Sequence, residues 1–226
     1  MTAPRFALIG ASGRMGREIL ALAQETGALR PTWEVSRGGA RTLDSSAKGE
    51  VDVVVDFSLP EATVEVAGWC RENGRPLVSG VTGIDGAQRA ALIEASREVA
   101  VLWAPNMSLG IAVMAQMFKP WASLKGFDFQ IEELHHRQKK DRPSGTALFL
   151  QGELEKAAGA SLPPPLAIRG GGVFGIHRAW ALGEDETITI EHTAMNRRVF
   201  ARGAIAAARW IIGRSPGLYG LADVLA

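Results

Sequence analysis

The chain has 226 residues, enough for one large domain or two modest ones with a buried core. Its 46% hydrophobic and 22% charged residues are ordinary for a globular protein, and a formal net charge of +1 argues against a nucleic-acid coat or an acidic tail. The single cysteine, Cys70, excludes an intrachain disulfide, no apolar run approaches the roughly 20 residues that span a membrane, and no signal-like apolar region opens the chain, so a cytoplasmic protein that binds no membrane and no nucleic acid is expected.

The first half alternates strand and helix signals. An apolar run over 6–10 closes on glycine, and a helix follows over 17–26, ended by Gly27. Strands are expected at 32–35 and 51–57, the second apolar enough to be buried on both faces. A helix over 61–72 is closed by Asn73 and Gly74, a strand covers 76–81, and Asp85 with Gln88 resembles a capping box for a helix reaching 99. A fifth strand covers 100–103. This alternation predicts an α/β fold: a Rossmann-like, doubly wound parallel sheet.

Gly10, Gly13 and Gly16 stand at the strand-to-helix turn, where a glycine fingerprint signifies dinucleotide binding and where a plain turn is the alternative. The candidate cofactor contacts there are Gly10, Ala11, Ser12, Gly13, Arg14 and Met15, with Arg14 adding a cation near phosphate. The tip of the second strand should meet the adenosine ribose. Ser36 and Arg37 stand there, with Glu34 two residues back, which favours NADPH while leaving NADH open. Gly80, Val81 and Thr82 end the fourth strand, and Ala104, Pro105, Asn106 and Met107 end the fifth. Cofactors bind at such strand ends in doubly wound sheets.

The second half reads as a smaller α+β domain with a mixed sheet. A helix is expected over 108–120 and an alternating strand over 127–131. Then comes the most informative stretch, 132–146. It holds His135 and His136, the cations Arg137, Lys139, Lys140 and Arg142, and the turn Pro143-Ser144-Gly145-Thr146. An imidazole moves protons near neutral pH, cations hold carboxylates, and amides at a helix start bind anions. By composition alone, a solvated loop is the competing reading. A helix over 145–158, a stiff connection at 162–165, strand-like runs over 167–182 and 187–193, and a helix over 200–212 complete the chain. The expected division is a dinucleotide-binding domain over 1–106, a substrate domain over 107–196, and a return to the first domain over 197–226. With no metal-ligand cluster in view, no structural metal is expected. His192 reads as structural and His177 is open.

Together these motifs resemble the 4-hydroxy-tetrahydrodipicolinate (dihydrodipicolinate) reductase family. The matching pieces are Gly10 to Gly16, Asp56-Phe57-Ser58, Ser79-Gly80-Val81-Thr82-Gly83 and Ala104 to Gly110. Glu133-Leu134-His135-His136 through Thr146, Glu191-His192-Thr193 and Phe200 to Gly203 match as well, in the family's order and across nearly the whole chain. Three departures stand out: a short segment between Arg37 and Val51, Arg142 in place of a small residue, and Val81 in place of a common threonine.

The resemblance implies NAD(P)H-dependent reduction of a cyclic, unsaturated dicarboxylic imine in the diaminopimelate and lysine pathway. It casts His135 as the proton donor with Lys139 assisting. His136, Gly145 and Thr146 become carboxylate contacts for a small dicarboxylate substrate. It also implies a homotetramer built through the second domain's sheet. Two rivals remain. One is a related NAD(P)-dependent dehydrogenase, although Cys70 is poorly placed as the nucleophile a semialdehyde dehydrogenase needs. The other is a non-catalytic dinucleotide sensor.

Overall fold

The computed structural model describes residues 2–39 and 41–226. Met1, where the first domain is expected to begin, and Ala40, within the short 37–51 segment, lie outside the described residues. The chain divides into two compact units, residues 2–108 with 197–226 and residues 109–196.

The first unit is a six-stranded parallel sheet. Its strands are β1 (Arg5–Ile9), β2 (Arg30–Val35), β3 (Val53–Asp56), β4 (Leu77–Ser79), β5 (Ala100–Trp103) and β10 (Gly217–Tyr219), in the order β10-β5-β4-β3-β1-β2. Strand β3 reads Val-Val-Val-Asp and is buried throughout, as a central parallel strand must be when helices cover both faces. Helices α2 (Thr63–Asn73) and α3 (Gly86–Ala95) pack together, as do α1 (Arg14–Thr26) and α6 (Arg198–Ile211). The expected capping box is formed: Gln88 N donates to Asp85 Oδ1 at 2.9 Å and Asp85 N to Gln88 Oε1 at 2.8 Å. The buried stripe of α6 includes Ala201, Gly203, Ala204, Ala207 and Ala208, small residues that let its backbone approach β3, β4 and β5 closely, with Ile205 and Ile211 buried beside them.

Several parts of this unit differ from the sequence reading. The tail after α6 forms β10, which extends the sheet by pairing with β5 from Gly217 opposite Ala100. Residues Ser45–Gly49 form a short 3-10 turn, with Asp44 accepting from Ser46 N at 2.8 Å. Helix α1 also begins three residues earlier than the periodicity predicts, directly after Gly13.

The second unit contains α4 (Leu109–Gln116), β6 (Asp128–His135), α5 (Gly145–Ala158), β7 (Leu166–Arg169), β8 (Gly175–Leu182) and β9 (Thr187–Ala194). Its sheet order is β7-β6-β8-β9, with β7 parallel to β6 and the other pairs antiparallel. The run read as one strand over 167–182 is two strands, because Gly170, Gly171 and Gly172 break it and Gly171 has φ +52°. Ala147, Leu150 and Leu154 of α5 face a core that includes Ile131, Phe118, Trp121, Ala179 and Ala181. Completely burying a side chain such as Phe118 or Leu150 contributes about 1.5–3 kcal/mol each. Among the described residues no helix is long and apolar enough to cross a membrane.

Candidate active site

In the first unit, the carboxyl ends of the parallel strands carry the glycine turn. Gly10 has φ +85°, and a β-carbon on it would lie 2.6 Å from Phe57 O. A β-carbon on Gly16 would lie 2.3 Å from Gly10 O. Gly10 N and Ala11 N donate to Val35 O at 2.9 and 3.0 Å, and Gly13 N closes back on Gly10 O at 2.9 Å. Gly13 is the N-cap of α1 and no side chain caps it, which suits a helix start that takes an anion on its first-turn amides.

A cleft of about 460 Å³ adjoins this turn, lined by Gly10, Ser12, Gly13, Ser36, Arg37, Phe57, Ser58 and Leu59, among others. Ser12 N donates to Ser36 Oγ at 3.0 Å, which joins the glycine turn to the tip of β2. Ala11 is buried under the turn, while Arg14 and Met15 begin α1. This cradle, with its close backbone approaches, fits a dinucleotide.

Gly80, Val81 and Thr82 follow β4, and Ala104, Pro105, Asn106 and Met107 follow β5. They share the sheet's carboxyl edge but do not line that cleft. A β-carbon on Gly80 would lie 2.5 Å from the Phe57 ring, and Trp103 Nε1 donates to Val81 O at 3.1 Å. Asp56 is 1% exposed. Its Oδ1 accepts from Ser58 N at 2.9 Å and Ser58 Oγ at 2.6 Å, so it shapes the turn after β3 and does not cap α2. Burial pushes its carboxyl above the ordinary range.

In the second unit, His135 is the last residue of β6, and His136 through Asp141 form the loop that follows. The ring of His135 is nearly buried, and its Nδ1 lies in direct contact with Glu133 Oε2. Burial lowers the His135 pKa. The Glu133 charge opposes that, and Lys139 and Arg169 reinforce it. Lys139 Nζ lies 2.9 Å from Asp141 Oδ2, so this cation is already paired within its own loop. Helix α5 starts at Gly145 and Thr146, with Ser144 Oγ accepting from Ala147 N at 3.2 Å as its cap. His135, Lys139, His136, Gly145 and Thr146 all belong to this unit.

Four neighbours of His135 had no functional role in the sequence reading. Glu133, 0% exposed, accepts from Arg169 Nη2 at 2.7 Å and from Ser144 N at 3.1 Å. Burial would raise its pKa, but Arg169, His135 and Ser144 together hold the carboxyl below the usual range. His177 meets the His135 ring edge-on at 5.1 Å, with Nε2 3.5 Å from Ser144 Oγ. A β-carbon on Gly175 would lie 3.0 Å from His135 Nε2. The only available sequence signal was spacing: Glu133 and His135, two apart on a strand, share a face.

Glu133, His135 and His177 each bring a donor atom within 4.8 Å of the others. The Arg169 guanidinium bonded to Glu133 already supplies a counter-charge there and opposes a further cation beside that carboxylate. Cys70 is fully buried, and burial, with Asp56 nearby, pushes its thiol well above its ordinary value. A nucleophilic role for it is excluded.

Comparison with known proteins bears on both units. Residues 4–107 match the family description "Dihydrodipicolinate reductase, N-terminus", and residues 110–225 match "Dihydrodipicolinate reductase, C-terminus". The 4-hydroxy-tetrahydrodipicolinate reductase of Bdellovibrio bacteriovorus is 45% identical over 221 residues, covering 98% of this chain and 96% of its own. That of Xanthomonas campestris pv. campestris (strain B100) is 41% identical over 237 residues, covering 99% of each chain. Among solved structures, dipicolinate-bound dihydrodipicolinate reductase from Paenisporosarcina sp. TG-14 superposes with a TM-score of 0.79 at 22% identity, covering 98% of this chain and 99% of that one. At that identity the likeness is one of fold.

Proposed function

The chain belongs to the dihydrodipicolinate reductase family, and from that we infer that it is an NAD(P)H-dependent oxidoreductase of lysine and diaminopimelate biosynthesis. It reduces dihydrodipicolinate, formed from 4-hydroxy-tetrahydrodipicolinate, to tetrahydrodipicolinate. The observation that carries the mechanistic reading is His135, held against Glu133 at the end of β6, in the unit that also supplies Lys139 and the α5 N-terminus.

Reduction adds a hydride and a proton across the conjugated imine. When bound, the nicotinamide cofactor supplies the hydride. We assign the dinucleotide to the first unit, on the 10–15 turn and the ends of β2, β4 and β5, and the substrate to the second. Negative charge builds towards the ring nitrogen as the hydride arrives, and a proton must meet it. His135 supplies that proton, and Lys139 stabilises the developing charge. That developing charge competes with Asp141 for the Lys139 ammonium. His136, the first-turn amides of Gly145 and Thr146, and the Thr146 hydroxyl hold the carboxylates.

NADPH is the preferred coenzyme in this reading. Ser36 and Arg37 line the cleft beyond β2, while Glu34 lies back within the strand, paired with Leu8. The assembly is a homotetramer joined through the second unit's sheet. One face of that sheet covers the core, and the other presents Leu134, Ile168, Ile176, Trp180 and Leu182. The protein is cytoplasmic, consistent with a lone buried cysteine.

A coupled assay tests the function. The unstable substrate is generated in situ from pyruvate and aspartate semialdehyde by its synthase, and loss of reduced cofactor is followed with NADPH and with NADH. Rapid oxidation, abolished by His135→Asn and by Lys139→Ala, is expected. No oxidation by folded protein that still binds NADPH would replace this reading with the sensor.

A further inference from the structure

The second sheet gathers one polar face from strands far apart in the chain. The register sets Glu133 opposite His177 and His135 opposite Arg169. The Arg169 side chain is 7% exposed. Besides Glu133, its guanidinium donates to Lys139 O at 3.3 Å from Nε and to Asp141 O at 2.5 Å from Nη2. One arginine on the edge strand β7 therefore touches both the carboxylate behind His135 and the loop that carries Lys139.

We propose that Glu133 and Arg169 are positioning residues for proton transfer. Glu133 fixes the His135 ring with Nδ1–H inward, leaving Nε2 as the nitrogen that exchanges a proton. Arg169 ties that carboxylate to the Lys139 loop. The inference rests on the reading of His135 as proton donor.

Three arguments support it. A carboxylate buried without a cation takes up a proton itself, and an ionised arginine against Glu133 Oε1 prevents this. With Oε1 occupied by Arg169 and Ser144 N, Oε2 is the oxygen left for His135 Nδ1. An acceptor at Nδ1 selects the tautomer of an imidazole. His177 does not fill this place, since its ring edge faces His135 and its Nε2 points to Ser144 Oγ. The charged and titratable groups around His135 are thus Glu133 on β6, Arg169 on β7, His177 on β8, and Lys139 with its partner Asp141 on the loop.

The test is a double-mutant cycle on the full chain with Glu133→Gln, Arg169→Lys, His135→Asn and the paired variants. Glu133→Gln is expected to lower kcat about 100-fold while the cofactor KM stays within about twofold. The alkaline limb of the kcat profile should move about one pH unit towards acid, because an attractive charge beside His135 is lost. The ¹⁵N shifts of His135 should change from the Nδ1–H tautomer to a mixture. In the His135→Asn background, Glu133→Gln should cost nothing further. An equal cost in both backgrounds, or an unmoved tautomer and pH limb, would overturn the proposal. Full kcat in His135→Asn alone would instead sink the proton-donor reading. If Glu133→Gln does not fold, the Arg169→Lys cycle decides by the same non-additivity.

Discussion

Gly203 in α6 lies so close to the turn after β5 that a β-carbon on it would sit 1.7 Å from the carbonyl oxygen of Met107. Only glycine allows that approach, and the final helix thereby supports a turn assigned to the cofactor. Gly203→Ala must move the helix or the turn, at a cost of about 1–3 kcal/mol. Lower thermal stability and weaker NADPH binding by fluorescence titration are expected. Unchanged melting and affinity would mean that α6 does not support the turn.

Gly175 makes a gentler version of the same argument. A β-carbon there would meet His135 Nε2 at 3.0 Å and Cδ2 at 3.3 Å, so the ring would have to give by a few tenths of an ångström. Small misplacements of a catalytic group are costly in rate. Gly175→Ala should lower kcat about tenfold with little change in melting temperature. Wild-type kcat would place the reacting nitrogen elsewhere.

These two glycines show what the sequence could and could not reveal. The turn through Gly10, Gly13 and Gly16, the Asp85–Gln88 capping box and helix α5 from Gly145 to Ala158 are local signals, readable in place. His135 and Lys139 can be proposed together from the sequence because one stretch holds both. Glu133, Arg169, Gly175 and His177 were not assigned roles, because strand register brings them together. Arg169 and Glu133 are 36 residues apart. Strand β10 was missed for a related reason: three residues in a Gly/Pro-rich tail carry no periodicity, and only pairing with β5 makes them a strand.

Arg37 tests the coenzyme assignment. It lines the cleft just past β2, beside Ser36, whose hydroxyl accepts from Ser12 N. A guanidinium there favours a 2′-phosphate, and its loss should weaken NADPH about tenfold while leaving NADH nearly unchanged. Steady-state KM values for both coenzymes with Arg37→Ala provide the check. An equal effect on both would assign Arg37 to the shared part of the dinucleotide.

His177 predicts a pH dependence of stability. Burial, with His135 adding, pushes its folded pKa from 6.5 down to about 3. The unfolded chain therefore binds a proton where the folded chain does not, and stability falls as pH drops from about 6.5 towards 3. At pH 5 the loss from this group is about 2 kcal/mol. His135 and His192 are also lowered, chiefly by burial, and steepen the same window. Denaturant unfolding between pH 7 and 5 should show this slope, with His177→Gln shallower than wild type. Parallel slopes would mean that His177 titrates normally in the folded state.

Trp180 tests the assembly. Gly175, His177 and Ala179 of β8 face inward, so Ile176, Arg178 and Trp180 project from the other face of the sheet. At its centre Arg178 reaches Glu132 at 3.0 Å and pairs with Glu191 across β9. Apolar residues thus flank a charge-satisfied middle, the composition of a face that can be buried against a copy of itself. A carboxylate introduced by Trp180→Glu would be buried unpaired in such an interface. Light scattering should give a tetramer for the wild type and a smaller species for Trp180→Glu, with unfolding of the isolated subunit still cooperative. A wild-type monomer would sink the tetramer, and a tetrameric Trp180→Glu would move the interface to another surface.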